Sequence, residues 1–403
     1  MKNNRTFLEK LLDGAEVEWK PLWSITTWDK RFNAVEKEKQ PKVIKYHYYL
    51  ASELKPLIVD GGNVKLLTTN ESDIWTTEEL VQNNISEGEI IAIPWGGNPI
   101  VQYYKGKFVT ADNRIATSNN TKILDNKFLY YFLLSKLDVI SSFYRGSGIK
   151  HPSMYHVLEM LIPIPSLSVQ TEIVRILDAL TALTSELTSK LTLRRKQYEY
   201  YREKLLSFDS LERLNEGGGK KKLIDVAIYT KVRISADKLN KENYVGVENL
   251  LQNKLGKTSS NYVPTEGSFI EYLPNDILIG NIRPYLRKIW LADKTGGTNG
   301  DVLVIRLTDK NILPRYLYHI LANEHFFEYN VKYSKGAKMP RGDKAAILQY
   351  EFDVPPLEEQ HRIVSILDKF ETLTNSITEG LPLAIEQSQK RYEYYRELLL
   401  NFE

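Results

Sequence analysis

Apolar and aromatic residues recur at alternating intervals of four and three in two long stretches of the chain. This spacing is typical of a coiled coil, in which one face of a helix is buried against another helix. In the first stretch, nine of the eleven positions are apolar or aromatic, which predicts a helix over residues 168–206. The seam positions of this stretch are Ile173, Leu177, Leu180, Thr184, Leu187, Leu191, Arg194, Tyr198, Tyr201, Leu205 and Phe208.

The second stretch keeps the same spacing but contains a predicted helix break. Gly380 suits the end of a helix, and Pro382 suits a first helical position. We therefore predict two helices, or one sharply kinked helix, with the break near Gly380. The seam positions are Ile363, Leu367, Phe370, Thr374, Ile377, Leu381, Ile385, Ser388, Tyr392, Tyr395, Leu399 and Phe402.

The two stretches are copies of each other. Pro165–Asp178 recurs as Pro355–Asp368, shifted by 190 positions, and Tyr198–Glu203 recurs as Tyr392–Glu397, shifted by 194. A period of this size indicates a duplicated domain rather than a solenoid. Each seam could pack on its own domain, on a second copy of the chain, or on the other seam. Two matched seams in one chain favour antiparallel pairing with each other.

The segments between these copies mix short strands with helices. Residues 89–94, 276–280 and 301–307 are apolar runs that predict strands, and 127–137 and 314–323 have helical periodicity. The fold class is therefore α+β, with a mixed sheet in each half and a pseudo-twofold internal repeat.

The predicted organisation follows the repeat. It consists of a short N-terminal helical segment at 1–15, a first variable half at 16–165, a first helical region at 166–214, a Gly- and Lys-rich linker at 215–221, a second variable half at 222–355 and a second helical region at 356–403.

Three loops of the variable halves carry side chains suited to nucleic acid. Arginine holds a phosphate or a guanine edge through two hydrogen bonds, and backbone amides near glycine can bind a phosphate. The loop 281–288 and the matched Gly-containing loops 145–151 and 334–341 combine these features. For each loop the alternative is an ordinary solvated or structural turn. The candidate DNA contacts are Arg283, Tyr285, Arg287, Lys288, Arg145, Lys150, His151, Lys335, Lys338 and Arg341.

The two halves differ at the place of the arginine loop. In the first half this place is taken by Pro94–Pro99, which contains no basic residue. We therefore expect the two halves to recognise different chemistry.

Composition excludes several classes of protein. The chain has no cysteine, which removes disulfide scaffolds, thiolate zinc sites, iron–sulfur clusters and cysteine nucleophiles. Its net charge is only +3 over 403 residues, which is low for a protein that binds nucleic acid alone. A DNA-binding role would need local basic patches or partner subunits.

The chain also lacks the common local motifs of enzymes. It has no Gly-x-x-x-x-Gly-Lys-Ser/Thr loop, no Asp/Asn-Pro-Pro-Tyr/Phe tetrapeptide and no His-Glu-x-x-His spacing. We therefore expect neither catalysis nor a metal site. The N-terminal residues have no long apolar core, and no apolar run approaches ~18 residues, so we expect a cytoplasmic location.

The doubled pattern Pro-x-Leu-x-x-Gln-x-x-Ile-Val-x-Ile-Leu-Asp, followed by Tyr-Glu-Tyr-Tyr-Arg-Glu, closely resembles the conserved regions of type I restriction-modification specificity subunits. The resemblance covers the whole chain. It implies two target-recognition domains, each followed by a conserved helical region, with the two regions paired as an antiparallel coiled coil. Each domain would bind one half of a split double-stranded DNA site, and the length of the helices would set the gap.

The resemblance also implies partners. Two modification subunits would methylate adenine with S-adenosylmethionine, and two restriction subunits would translocate and cleave DNA with ATP and Mg²⁺, while this chain binds no cofactor and does no chemistry. The helices would provide the pairing and modification-subunit surface. Its candidate residues are Ile173, Leu177, Leu180, Leu187, Tyr198, Tyr201, Ile363, Leu367, Phe370, Ile377, Tyr392 and Tyr395.

Three other functions stay open at this point. The chain could be the specificity subunit of a bifunctional type IIB-like system, which local sequence does not distinguish from type I. It could be a coiled-coil adaptor whose globular halves bind protein, an alternative that Trp23, Trp28 and Trp95 keep open. A self-contained nuclease would need clustered acidic metal ligands beside a lysine, and the sequence offers no convincing set.

Overall fold

The computed structural model describes residues 7–206, 219–376 and 378–402. The chain divides into two compact units, Met1–Ser185 with Gln387–Glu403, and Glu186–Glu386. Each unit therefore combines one variable half with parts of both helical regions. None of the described helices is both long enough and apolar enough to cross a membrane.

Short strands and helices make up the variable half of the first unit. Its strands are β1 (Glu18–Pro21), β2 (Thr26–Trp28), β3 (Val64–Leu67), β4 (Trp75–Thr76), β5 (Ser86–Pro94), β6 (Gln102–Thr110), β7 (Asn113–Ser118), β8 (Tyr144–Arg145), β9 (His151–Pro152) and β10 (Leu161–Ile164). Its helices are α1 (Phe7–Leu12), α2 (Leu22–Ile25), α3 (Ala51–Leu54), α4 (Glu78–Val81), α5 (Asn126–Ser135), α6 (Leu137–Ser142) and α7 (Met154–Glu159).

A six-stranded mixed sheet lies at the centre of the first unit, in the order β2-β7-β5-β6-β3-β4. β3 and β6 run parallel, and the other neighbours run antiparallel. Both faces of β5 are buried. Ile91 and Ile93 belong to the core that includes Phe128 of α5, whereas Ile90 and Ala92 belong to a second core on the opposite face. The alternation follows from the two-residue period of a strand.

The second unit contains its own set of strands and helices after the long helical region. Its strands are β11 (Gly219–Lys222), β12 (Ala227–Tyr229), β13 (Arg233–Ser235), β14 (Tyr244–Val245), β15 (Ser268–Tyr272), β16 (Ile277–Gly280), β17 (Ile289–Leu291), β18 (Gly296–Thr298), β19 (Val302–Leu307) and β20 (Glu351–Val354).

The second variable half has two four-stranded sheets, where we expected one. The sheet β12-β19-β16-β17 is antiparallel, and the sheet β13-β15-β18-β14 contains a parallel pair, β14 and β18. The reason lies in β19, whose two faces are both apolar. Leu303 and Ile305 enter the core with the helices, while Val302 and Val304 pack with Val245 of β14 in a separate core. A second layer is needed to bury that second face.

The helical regions follow the seam pattern of the sequence. The first forms one helix, α8 (Leu167–Leu206). The remaining helices are α9 (Leu223–Val226), α10 (Pro314–Leu321), α11 (Glu324–Lys332), α12 (Lys344–Leu348), α13 (Leu357–Asn375) and α14 (Leu381–Leu400).

The predicted break in the second helical region is confirmed. α13 ends at Asn375 and α14 begins at Leu381. Gly380 between them has a φ of +90°, and a Cβ at this position would lie 2.5 Å from the carbonyl oxygen of Thr372. Glycine is therefore required both by the left-handed backbone and by the close approach.

Residues of the two helical regions contact each other inside each unit. In the first unit, Leu177 and Leu399 are fully buried in one core, and the hydroxyls of Thr184 and Ser388 are 2.8 Å apart. In the second unit, the ring of Phe370 stacks at 6.0 Å on Tyr198 and at 5.6 Å on Tyr201. Some seam residues of the two helical regions therefore contact each other within each unit.

The other seam residues differ in how deeply their side chains are buried. Ile173, Ile363 and Leu367 are fully buried, Leu180, Leu187, Tyr392 and Tyr395 are partly buried, and Tyr201 is exposed beside Phe370. Ile377 and Phe208 lie outside the described residues.

The predicted linker at 215–221 is wrong in its last three residues. Residues 215–218 lie outside the described part of the chain, but Gly219–Lys222 forms β11 and pairs antiparallel with β20. Lys221 also makes an ion pair with Asp309 at 2.6 Å. Lysines are common on edge strands, so the basic composition that suggested a linker is compatible with this two-stranded sheet. β1 and β10 form the same ladder in the first unit.

Candidate nucleic-acid interface

Two of the predicted loops lie side by side in the second unit. The loop 281–288 connects β16 to β17, and the loop 333–343 connects α11 to α12. The backbone N–H of Arg283 donates to the carbonyl of Pro340 at 2.7 Å, and Ile282 and Arg341 form an isolated β-bridge. Residues more than fifty positions apart therefore form one loop pair, which we call the second loop pair.

Arg283 and Tyr285 are the exposed side chains of the arginine loop. Arg283 has a φ of +52°, a conformation that is uncommon for residues other than glycine, and its backbone is held on both sides by hydrogen bonds to Pro340 and Leu286. Tyr285 is 51% exposed. Neither side chain has a hydrogen bond or an ion pair with another residue in the described part of the chain, so both are available to a ligand.

The other two candidates of this loop are engaged within the protein. The guanidinium of Arg287 pairs with the carboxylate of Glu324. Lys288 Nζ donates to the carbonyl oxygen of Val247 at 2.7 Å, and burial lowers the pKa of this lysine. These two residues therefore fix the base of the loop.

The neighbouring loop is closed by its own ends. The backbones of Lys335 and Arg341 exchange two hydrogen bonds of 2.9 Å. Lys335 pairs with Asp343 at 2.5 Å, and Arg341 pairs with Asp301 at 3.2 Å. Lys338 at the tip is exposed and has no such partner among residues 7–206, 219–376 and 378–402.

The first unit repeats this arrangement with different side chains. The N–H of Gly97 donates to the carbonyl of Lys150 at 3.1 Å, and Nδ1 of His151 donates to the carbonyl of Trp95 at 2.7 Å. The loop 94–99 and the loop 145–151 thus form a first loop pair. The side chains of Arg145 and Lys150 are exposed, and neither has an ion pair with a described residue. The first loop pair contains Trp95 and His151, whereas the second contains Arg283 and Tyr285.

Trp95 is held by a buried ion pair that the sequence analysis missed. Its ring lies 5.2 Å from His151, and the guanidinium of Arg114 lies 4.7 Å from the ring centre. Arg114 is 1% exposed and pairs with Asp29 at 2.9 Å. Burial and the neighbouring Asp29 carboxylate raise the pKa of Tyr48, which donates its hydroxyl to Asp29. The partners Asp29 and Arg114 lie 85 positions apart, so no local sequence pattern indicated this network.

Lys254 packs behind the second loop pair. The N–H groups of Asn253 and Lys254 donate to the carbonyls of Leu286 and Arg287 at 3.0 and 2.9 Å. Burial lowers the pKa of Lys254 to about 8, and the positive charges of Arg202 and Arg287 contribute in the same direction. The backbone of this segment braces the arginine loop, and its lysine is partly neutral near pH 8.

A cluster of His319, Asp368 and Glu371 is the one group in the described part of the chain with the ligand types and spacing of a metal site. Arg315 occupies it, with bonds of 2.7 Å to Asp368 and 2.8 Å to Glu371. The single positive charge of the Arg315 guanidinium balances one of the two carboxylate charges and repels a metal ion. The cluster therefore joins α10 to α13 as an ion-pair network.

The titration of this cluster is set by burial and hydrogen bonding. His319 is fully buried, which lowers its pKa, and its hydrogen bond to Asp368 at 2.9 Å only partly opposes this. Burial acts to raise the pKa of Asp368, but hydrogen bonds from His319 and Arg315 outweigh it and lower that pKa. At neutral pH these two shifts favour a neutral His319 beside an ionised Asp368.

The chain is therefore a duplicated protein whose two variable halves carry similar loop pairs with different side chains. The family model described as the type I restriction modification DNA specificity domain matches the chain twice, at residues 33–194 and 215–387. The chain belongs to this family.

Individual relatives agree with the family match. A Haemophilus influenzae protein named as a type I restriction enzyme specificity subunit is 39% identical over 425 aligned positions, with all of both chains covered. The Escherichia coli type I restriction enzyme EcoR124I/EcoR124II specificity subunit is 33% identical, covering 98% of this chain and 97% of its own length. The crystal structure of a type I restriction-modification S subunit from M. genitalium has the same fold, with a TM-score of 0.61 at 16% identity, covering 100% of this chain and 98% of that one.

Proposed function

We propose that this chain is the DNA sequence-specificity subunit of a type I restriction-modification complex. The first loop pair contacts one half of a bipartite double-stranded DNA site and the second loop pair contacts the other half. The single observation that carries this proposal is the matched backbone of the two loop pairs combined with their different side chains. A duplicated scaffold with two different contact sets suits a target made of two different half-sites.

The exposed cations of the loops suit the phosphate backbone, and the exposed polar and aromatic groups suit base edges. Arg145, Lys150 and Lys338 lie on the Gly-containing loops and have no internal ion pair among the described residues. Phosphate contacts position a protein on the duplex, while side chains such as Arg283 can recognise a guanine edge. Lys335 and Arg341 are paired with carboxylates, so they contribute less charge to this surface.

The partners follow from the proposed role. Two modification subunits bind the helical regions and methylate adenine with S-adenosylmethionine, and two restriction subunits use ATP and Mg²⁺. In this arrangement the present chain supplies recognition and does no chemistry, and the complex acts in the cytoplasm. The low net charge of +3 agrees with a protein that shares its phosphate contacts with partners.

The test is a map of methylated adenines. The chain is co-expressed with its modification subunit in a host without other DNA methylation, and the genome is sequenced for methylated bases. We expect a bipartite motif with an unspecified spacer. Omitting the chain should abolish the methylation. Methylation of a continuous motif, or methylation that does not depend on the chain, would contradict the proposal.

A further inference from the structure

Each Gly-containing loop exposes one large apolar side chain at its tip. Ile149 in the first unit is 71% exposed, and Met339 in the second unit is 47% exposed. The two residues are 190 positions apart, the same shift that relates Pro165–Asp178 to Pro355–Asp368. They therefore occupy equivalent positions in the internal repeat.

The backbone around the two tips is also equivalent. Gly146 has a φ of +140°, and a Cβ there would lie 2.9 Å from the carbonyl oxygen of Ile149. Gly336 has a φ of +105°, and a Cβ there would lie 3.3 Å from the carbonyl oxygen of Met339. In both loops a glycine folds over the carbonyl of the apolar residue, so each side chain is displayed on a tightly closed turn rather than on a loose loop.

Ile149 and Met339 are both apolar, although the residues next to them differ between the two loops. Ser147 and Gly148 correspond to Ala337 and Lys338, and the residues that follow the tips, Lys150 and Pro340, also differ. A residue that identifies a particular base should differ between halves that recognise different sequences. A property shared by both halves indicates a task that does not depend on the sequence.

We propose that Ile149 and Met339 are apolar wedges, each of which inserts between adjacent base pairs of its own half-site and partly unstacks one base step. This inference rests on the proposed DNA-recognition function and adds a deformation of the duplex to it. Isoleucine and methionine are among the side chains that unstack a base step when a protein inserts them into a duplex. Arg145 and Lys150 beside the first tip, and Lys338 beside the second, are placed to hold the flanking phosphates.

The test uses the complex of the chain with its modification subunits and the duplex found by methylation mapping. 2-Aminopurine, whose fluorescence rises when it is unstacked, replaces one base at a time within and beside each half-site, leaving the methylated adenine unchanged. We expect binding to raise the fluorescence at one step in each half-site. Ile149→Ser should remove the rise in one half-site only, and Met339→Ser in the other only, whereas Ile149→Leu and Met339→Leu should keep it.

The experiment distinguishes failure of the wedge proposal from failure of the proposed DNA-recognition function. The serine variants should still co-purify with the modification subunits and methylate the same motif, with affinity reduced by about tenfold or less. If wild-type complex binds its motif without a fluorescence rise at any step, or if the serine variants keep the rise, the wedge is wrong and the recognition role stands. Absence of any sequence-specific binding by the wild-type complex would overturn both.

Discussion

Gln170 and Gln360 make the same three hydrogen bonds in their respective units. Gln170 Oε1 accepts from the N–H of Asp125 at 2.9 Å, and its Nε2 donates to the carbonyls of Ile123 and Pro165 at 2.8 Å. Gln360 accepts from the N–H of Leu313 at 2.9 Å and donates to the carbonyls of Asn311 and Pro355 at 2.9 and 2.8 Å. Each glutamine ties the start of a helical region to the segment before the first long helix of its variable half.

Replacing Gln360 with leucine should destabilise the protein. The side chain is fully buried, so the substitution removes three hydrogen bonds, of which the one to the carbonyl of Pro355 is buried and the other two are partly buried. We expect a loss of about 2–4 kcal/mol, because unsatisfied buried polar groups cost ~1–3 kcal/mol each and part of this is recovered by relaxation. Urea unfolding of the full chain measures the loss. Gln387→Leu, at an exposed position of α14, is the matched control and should change stability by less than about 0.5 kcal/mol.

Arg283→Ala should weaken DNA binding without affecting folding. The side chain of Arg283 is exposed and has no ion pair with a described residue, so its removal leaves no group of the protein unpaired. If Arg283 contacts a base, the loss should be ~1–3 kcal/mol and specificity should relax at one position of one half-site. Fluorescence anisotropy with the cognate duplex measures this, and Lys310→Ala, at an exposed lysine after β19, is the control. If the affinity for the cognate duplex and the recognised motif were unchanged, Arg283 would not contact DNA.

Arg287→Ala should behave differently from Arg283→Ala. Arg287 pairs with Glu324 at a partly exposed site, so we expect a loss of stability below about 1 kcal/mol. Glu324→Gln should cause a comparable loss, since it removes the same ion pair. Thermal unfolding of the two single variants and of the double variant gives the interaction free energy between the two side chains. Additive effects of the two substitutions would show that the pair contributes nothing to loop stability.

The lowered pKa of His319 predicts that the folded protein loses stability in mild acid. In the unfolded chain a histidine titrates near pH ~6.5, whereas burial lowers the pKa of His319 in the folded protein. The unfolded state therefore binds more protons below pH ~6.5, so the stability that His319 contributes is complete above that pH and is lost as the pH falls towards the folded pKa.

The measurement compares urea unfolding of wild-type protein and His319→Gln between pH 5 and 8. One histidine contributes a slope of at most about 1.4 kcal/mol per pH unit. The lowered pKa of Asp368 acts at lower pH, below the unfolded aspartate value of about 3.9, so the two contributions separate. Identical pH dependence in the two proteins would show that His319 does not titrate on unfolding.

Lengthening α8 should lengthen the spacer of the recognised site. Four residues inserted after Thr188 add about 6 Å of helix at ~1.5 Å per residue, which corresponds to between one and two base-pair steps of ~3.4 Å. Methylation mapping should show unchanged half-sites with a spacer longer by one or two base pairs. The same four residues inserted after Gly61, where an added Cβ would meet no atom within 4 Å, are the control. A changed half-site, or an unchanged spacer, would contradict the role of the helix.

Regular spacing made the helical regions predictable from the sequence. The bounds of α8, the break at Gly380 and the burial of Leu177 and Leu367 follow from local rules of periodicity and helix ends. The duplication added a second, independent copy of each signal.

The parts of the site that depend on distant residues could not be predicted. The bond from Arg283 to Pro340 joins residues 57 positions apart, and the Arg114–Asp29 pair joins residues 85 apart. No local pattern encodes such contacts, so the sequence indicated which loops are basic but not which cations are already paired. The same limit explains why residues 219–221 looked like part of a linker, since their strand partner is β20.

The most direct measurement exchanges one variable half. Residues 219–355, which include both strands of the β11–β20 ladder, are replaced by the matching segment of a specificity subunit with a different target, and methylated adenines are mapped in the co-expression host. We expect one half of the bipartite motif to change and the other half to stay the same. A motif in which both halves change together, or in which neither changes, would contradict recognition by two separate loop pairs.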